Sequence, residues 1–222
     1  MFKFLVLLAI AAGLGYWFWT TTPEFAVFQV RDAIRAHDLK KFSHYVDSES
    51  VASNLVDDLL TKPMQQSFGS GVLGKVIANG IVGFFKQNLV KGMEQQIQRF
   101  VETGDTGASV SANGEGGEEI NDGSISLGKV DGRLGFRRHA YKGIAYDHKD
   151  GKVATVGVTF HNELYDKDLV LDLKMRDEGG HWEVIELSNF PEFAGKIMEY
   201  ESERLQNAQP GSVSDKKGTE KI

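Results

Sequence analysis

The hydrophobic period of the chain changes partway along, and that change limits the fold more than any other feature. In the run 167–176, Leu169, Leu171, Leu173 and Met175 fall on one side of an extended backbone, with Asp172, Lys174 and Arg176 on the other. Val156, Val158 and Phe160 share a face in the run before it. A period of two belongs to strands with one buried face and one wet face. Runs at roughly 141–146, 152–162, 167–176 and 181–187 are punctuated by His148-Lys149-Asp150-Gly151 and Asp177-Glu178-Gly179-Gly180, both of turn-forming composition. The expectation is an antiparallel meander with one apolar face, which needs a cover.

The cover lies upstream. Thr22-Pro23-Glu24 is a helix start: a hydroxyl to cap the first amides, a proline where no donor is needed, and a carboxylate at the positive end. Ala26, Val27, Val30, Ala33, Ile34 and His37 then recur near a 3.6-residue period, while Arg31, Asp32 and Arg35 face water. His37 reads as the end of that stripe and not as a catalyst. Asp38 is placed to cap a short helix with Leu39, Phe42, Tyr45 and Val46 as its contacts. Ser48 or Ser50 starts the next, in which Val51, Leu55, Val56, Leu59 and Leu60 continue the core pattern until Lys62-Pro63 interrupts it.

Before these helices stand 16 uncharged, mainly apolar residues, Phe4 to Trp19, behind Lys3. As a helix they span roughly 24 Å, short of a hydrocarbon core of about 30 Å. Thr20 to Thr22 and the Tyr16-Trp17-Phe18-Trp19 cluster extend or anchor the span at the interface. A retained single-pass anchor over 1–20 is the leading reading. A secretion signal cut near Ala11, Gly13 or Gly15 is the direct competitor, and a buried helix is the third. Arg31, Arg35, Lys40 and Lys41 follow the span and only Lys3 and the amino group precede it, so the count of cations does not by itself support export.

Residues 71–100 look helical with a complication. Leu73, Ile77, Ile81, Phe85, Leu89, Met93 and Ile97 repeat every four residues, a spacing that drifts about 40° per step around a helix. Either the path breaks near KQNLVKG or successive faces meet different partners. Core packing leads here, with membrane contact and a partner interface as alternatives. Residues 102–135 are glycine-rich and acidic, and read as an inserted loop with one short strand. After Asn189 a short helix is expected, followed by a flexible tail over 201–222. The domain proper spans 21–200.

No motif selects a chemistry. GSGVLG at 69–74 matches the dinucleotide-binding glycine pattern without its preceding strand, and GSGVLGK lacks the hydroxyl of a phosphate loop because Val76 follows Lys75. Asp105-Thr106-Gly107 is a single aspartic-protease-like triplet with no second copy in the chain. The six histidines, His37, His44, His139, His148, His161 and His181, show no metal-ligand spacing. Asp57 and Asp58 are adjacent and cannot face one another, Glu118 and Glu119 lie in the loop, and Asp166, Asp168, Asp172 and Asp177 offer no pair opposed across a substrate. Arg137-Arg138-His139 is a small basic cluster, read as solvated or paired with the acidic loop. Catalytic, cofactor-binding and metal-binding residues are therefore all assigned as none.

The net charge of −6, with no basic stripe interleaved with aromatics, argues against nucleic acid. The absence of cysteine removes disulfides, thiolate catalysis and cysteine-ligated metals.

Thr22-Pro23-Glu24-Phe25, Ala33-Ile34, Asp38, Phe42 and Tyr45-Val46-Asp47, behind an apolar start, resemble the opening of the bacterial family catalogued as domain of unknown function 2939. That resemblance implies an anchored envelope domain and carries no reaction. Helices followed by YKGIAYDHKDGKV, ATVGVTF, DLVLDLKM and HWEVIELS also look like the cone-shaped nuclear-transport-factor-2-like fold, which implies a curved α+β sheet with a pocket. The expected function is a noncatalytic, membrane-tethered envelope domain. Its partners are the lipid bilayer and an envelope protein or small hydrophobic ligand. An enzyme built from distant carboxylates or histidines is the second reading and a structural envelope protein the third.

Overall fold

The computed structural model describes residues 2–61, 72–104, 109–110, 125–126 and 139–208. Helix α1 (Phe2–Thr20) is apolar along its length, and none of it is buried. A two-residue bend leads to α2 (Pro23–Ala36), where the Phe25 N–H donates to the Thr22 hydroxyl at 3.3 Å and Pro23 occupies the first turn, as the cap residues require. His37 ends α2 in the left-handed conformation, φ 54°. Asp38 accepts from the Lys41 N–H at 2.9 Å to start α3 (Leu39–Tyr45), and Asp47 accepts from the Ser50 N–H at 2.9 Å to start α4 (Ser48–Val56). A π-helical turn, Asp57–Thr61, continues α4.

Helix α5 (Val72–Thr103) runs unbroken through the KQNLVKG segment, and its described side chains meet two partners in turn. Leu89 and Met93 pack on Ala52 and Val56 of α4, whereas Val101 joins the main core. The glycine-rich segment contributes two short paired strands, β1 (Ser109–Val110) and β2 (Ile125–Ser126), where one was expected. The rest of it lies outside the described residues.

Four strands follow as an antiparallel meander in sequence order: β3 (His139–Asp150), β4 (Val153–Asn162), β5 (Lys167–Asp177) and β6 (Trp182–Leu187). Gly151, at φ +59°, makes the tight β3–β4 turn. The buried Asn162 side chain accepts from the Leu164 and Tyr165 N–H groups and shapes the β4–β5 turn. Helix α6 (Phe190–Ala208) closes the described chain and extends beyond residue 200. The Asn189 side chain clips its start to β5, accepting from the Asp172 N–H at 2.8 Å and donating to the Val170 carbonyl at 3.1 Å.

The core sits on one face of the sheet. Ala154, Val156, Val158, Leu169, Leu171, Met175, Trp182 and Val184 meet Ala26, Val27, Ala33, Phe42, Val51 and Leu55 from the early helices, and Phe193 and Ile197 from α6. The alternation read in β5 is thus the physical origin of the α+β arrangement: one strand face is dehydrated by helices and the other stays wet.

The cone-like curvature expected from the second resemblance is not found. The sheet is open, ordered β3-β4-β5-β6, and its two edge strands do not approach closure. β4 and β5 at its centre pair at every position from Val153–Arg176 to Asn162–Lys167 with no bulge. Irregularities fall near Gly143 and Tyr146 in the β3–β4 ladder and at Lys174–Met175 in the β5–β6 ladder.

Candidate functional site

Three places on the molecule bring functional groups together. The first is the exit of α1. The hydroxyls of Thr20, Thr21 and Thr22 donate back to the carbonyls of Trp17, Phe18 and Trp19, satisfying acceptors that the helix end leaves open. The Trp19 ring stands 5.0 Å from Phe25, edge to face, and 6.3 Å from Phe28. From the core, the Trp182 indole N–H donates to the Thr21 carbonyl at 3.0 Å. Phe25 in turn meets Tyr45 at 6.5 Å. Burial, and secondarily the nearby Tyr16 hydroxyl, raise the Tyr45 phenol above its usual range.

Beside Tyr45, at the second place, the imidazoles of His44 and His181 stack at 4.0 Å with planes 20° apart. Glu183 and Asp47 stand behind them. Burial raises the Glu183 carboxyl, with Asp47 and Glu178 adding like charge and Arg176 and His44 opposing. Arg176 ties the acids together: it pairs with Glu178, reaches Glu183 at 3.3 Å and approaches Asp47 at 3.7 Å.

The third is the wet face of the sheet. His161 Nδ1 lies 2.8 Å from Asp168, Lys142 Nζ lies 3.0 Å from the same carboxylate, and Asp166 is 3.6 Å from His161 Nε2. The His161 and Lys142 hydrogen bonds hold the Asp168 carboxyl below its usual range. Across the same face, the Tyr146 hydroxyl donates to Asp172, which raises the Tyr146 phenol. A histidine oriented by a carboxylate is half of a general-base device, but no described hydroxyl nucleophile adjoins it and the pair stands on an open surface.

Among the described residues no set of three or more histidine or acidic side chains is placed to hold a metal. A groove of about 560 Å³ between α4 and α5 is lined by Glu49, Ser53, Lys86, Gln87, Val90, Lys91 and Glu94, with polar and apolar surface in similar amounts, and Lys86 is held by Asp57 at 2.7 Å.

The other residues weighed from sequence are scattered. The His37 Nδ1–H donates to the Val101 carbonyl, 2.8 Å away, joining the ends of α2 and α5. His148 lies within β3, not in a turn, and His181 directly precedes β6. Asp105-Thr106-Gly107, Glu118, Glu119, Arg137, Arg138 and residues 69–71 of the glycine motif lie outside the described residues, while Val72, Leu73 and Gly74 of that motif open α5. Two arrangements escaped the sequence reading. The His161–Asp168 pair follows from counting the β4–β5 register outward from its turn, a signal that was present. The His44–His181 stack joins residues far apart in the chain and has no local signal.

No family model, no curated protein and no solved structure matches this chain. The resemblance to the family of domain of unknown function 2939 is therefore not upheld. The stretch that carried it is a general recipe for capped helices, in which Thr22, Asp38 and Asp47 each serve as an N-cap.

Proposed function

We propose that the chain is a noncatalytic binding domain held at a membrane by its N-terminal helix. The observation that carries this reading is the exit of α1. Lys3–Thr20 has the length and hydropathy of a membrane span and is not buried, yet its last turn is built into the folded domain through Trp19, Thr21 and Trp182. A leader destined for removal has no need of such contacts. In this reading the helix confines the domain to the bilayer and raises its effective concentration toward partners there. The four charged side chains of the α4–α5 groove, Glu49, Lys86, Lys91 and Glu94, favour a charged segment of a partner protein over a small hydrophobic ligand.

Membrane fractionation combined with intact mass tests the anchor: the full 24.6 kDa chain is expected in the membrane fraction, resisting alkaline wash. A soluble product beginning after Ala11, Gly13 or Gly15 refutes it. We place the anchor in a bacterial inner membrane with the domain on the periplasmic side. Protease accessibility in spheroplasts decides that topology, against which the cations Arg31, Arg35, Lys40 and Lys41 argue.

A further inference from the structure

We infer that the residues surrounding the exit of α1 form a headgroup-binding collar, which docks the domain against the phosphates of an anionic bilayer in one orientation. This rests on the membrane-tethered reading above.

The exit is not a free linker. The N–H groups of Thr21 and Thr22 bond back to Phe18 and Trp19 at 3.2 and 3.1 Å, and the indole of Trp182, 2% exposed, holds the Thr21 carbonyl. Tyr16, Trp17, Phe18 and Trp19 are 45–69% exposed on the last turn of α1, the composition and place of an interfacial aromatic belt. With that belt at the headgroup level, whatever lies one ring away from it is at the headgroup level as well.

Cations and N–H donors lie there on several sides. Phe28, which touches Trp19, carries the Arg31 guanidinium 5.5 Å above its ring. Trp182, which holds Thr21, carries the Lys149 ammonium 4.7 Å from its ring. Tyr45, beside Tyr16, carries the His44–His181 stack at 4.7 and 5.9 Å. Lys41 stands one turn before Tyr45 and forms no ion pair among the described residues.

The nearby carboxylates are engaged elsewhere. Asp38 and Asp47 cap helices, Asp32 is held by Arg31 at 3.1 Å, Glu178 and Glu183 behind the histidine stack are paired with Arg176, and Glu24 sits over the positive start of α2. The collar thus presents donors outward although the whole chain carries a net charge of −6. Lys149, stacked on Trp182 and in no ion pair among the described residues, has its charge free to reach phosphate, the chemistry that anionic lipid rewards.

The experiment uses the full chain in nanodiscs of phosphatidylcholine, with or without phosphatidylglycerol, each carrying a gadolinium-chelating headgroup lipid. The amide signals of residues 41–45, 149 and 181 are expected to broaden more than those of residues 201–204 in α6, and more when phosphatidylglycerol is present. Lys41→Gln and Lys149→Gln are each expected to shift the docked population about fivefold toward release. Raising the salt concentration does the same to the unmodified chain through screening, which needs no variant to fold. Equal broadening of the collar and α6 in a retained, bilayer-inserted chain overturns the inference and leaves the anchor intact. Broadening indifferent to phosphatidylglycerol and salt overturns its electrostatic basis. A chain that does not stay with the bilayer overturns the tethered reading itself.

Discussion

Replacing Gly157 by alanine tests the packing of the wet sheet face through a change of sign. A Cβ on Gly157 would stand 2.6 Å from two ring atoms of Tyr146 and 2.9 Å from a third, closer than any real contact. The residue does not occupy the left-handed region, so the backbone itself accepts alanine. Alone, the substitution should stabilise by about 0.4–1 kcal/mol, by restricting the unfolded chain. With Tyr146 present the ring must swing away. It then loses its cover over the strand, about 1 kcal/mol for a half-buried ring, and its bond to Asp172, about 0.5–1 kcal/mol at an exposed site. The net for Gly157→Ala is a loss of about 1 kcal/mol. In a Tyr146→Ala background the same substitution should become stabilising, giving a coupling near 2 kcal/mol. Urea unfolding of the four proteins of this cycle, full-length in detergent and followed by tryptophan fluorescence, measures it. An equal effect of Gly157→Ala in both backgrounds would falsify the view that Tyr146 covers that strand.

Other expectations follow from single contacts. Asn189→Ala should cost about 2–3 kcal/mol in the same assay, since it orphans the Asp172 N–H and the Val170 carbonyl together. Glu183→Gln should raise stability at neutral pH and lose that advantage in acid. A carboxyl raised by burial favours the folded state while protonated, and that contribution disappears as pH rises from its ordinary value through its folded one; a pH series of unfolding midpoints checks the sign. Ile197→Ala, at a site with no exposure, should cost about 2–5 kcal/mol and loosen α6, seen as faster amide exchange along residues 190–200. Trp182→Phe should free the exit of α1, read as increased spin-label mobility at position 20 with the sheet's circular dichroism unchanged.

Much of this architecture was written locally. The period of two in Leu169, Leu171, Leu173 and Met175 and the caps at Thr22 and Asp38 are decisions among near neighbours, governed by backbone geometry and the solvation of adjacent side chains, while the helix expected to start at Ser48 or Ser50 takes its cap from Asp47. A sequence displays such decisions directly, and it was sufficient for the antiparallel meander, its buried face and the short capped helices. The even spacing in α5 left open a break near KQNLVKG or a change of partner; that the helix is unbroken and meets α4 and then the main core depended on how distant segments met.

What only the tertiary structure decided depends on contacts between residues far apart in the chain. The openness of the sheet was one, since whether its edge strands meet depends on how all four strands and their covering helices pack. The stack of His44 on His181 was another, and so was the hydrogen bond from Trp182 to Thr21 that turns an apolar leader into part of the fold. Local rules specify which groups seek burial and hydrogen-bond partners. Which partner each one finds is settled by the packing of the whole chain, because only there is the competition among distant surfaces resolved.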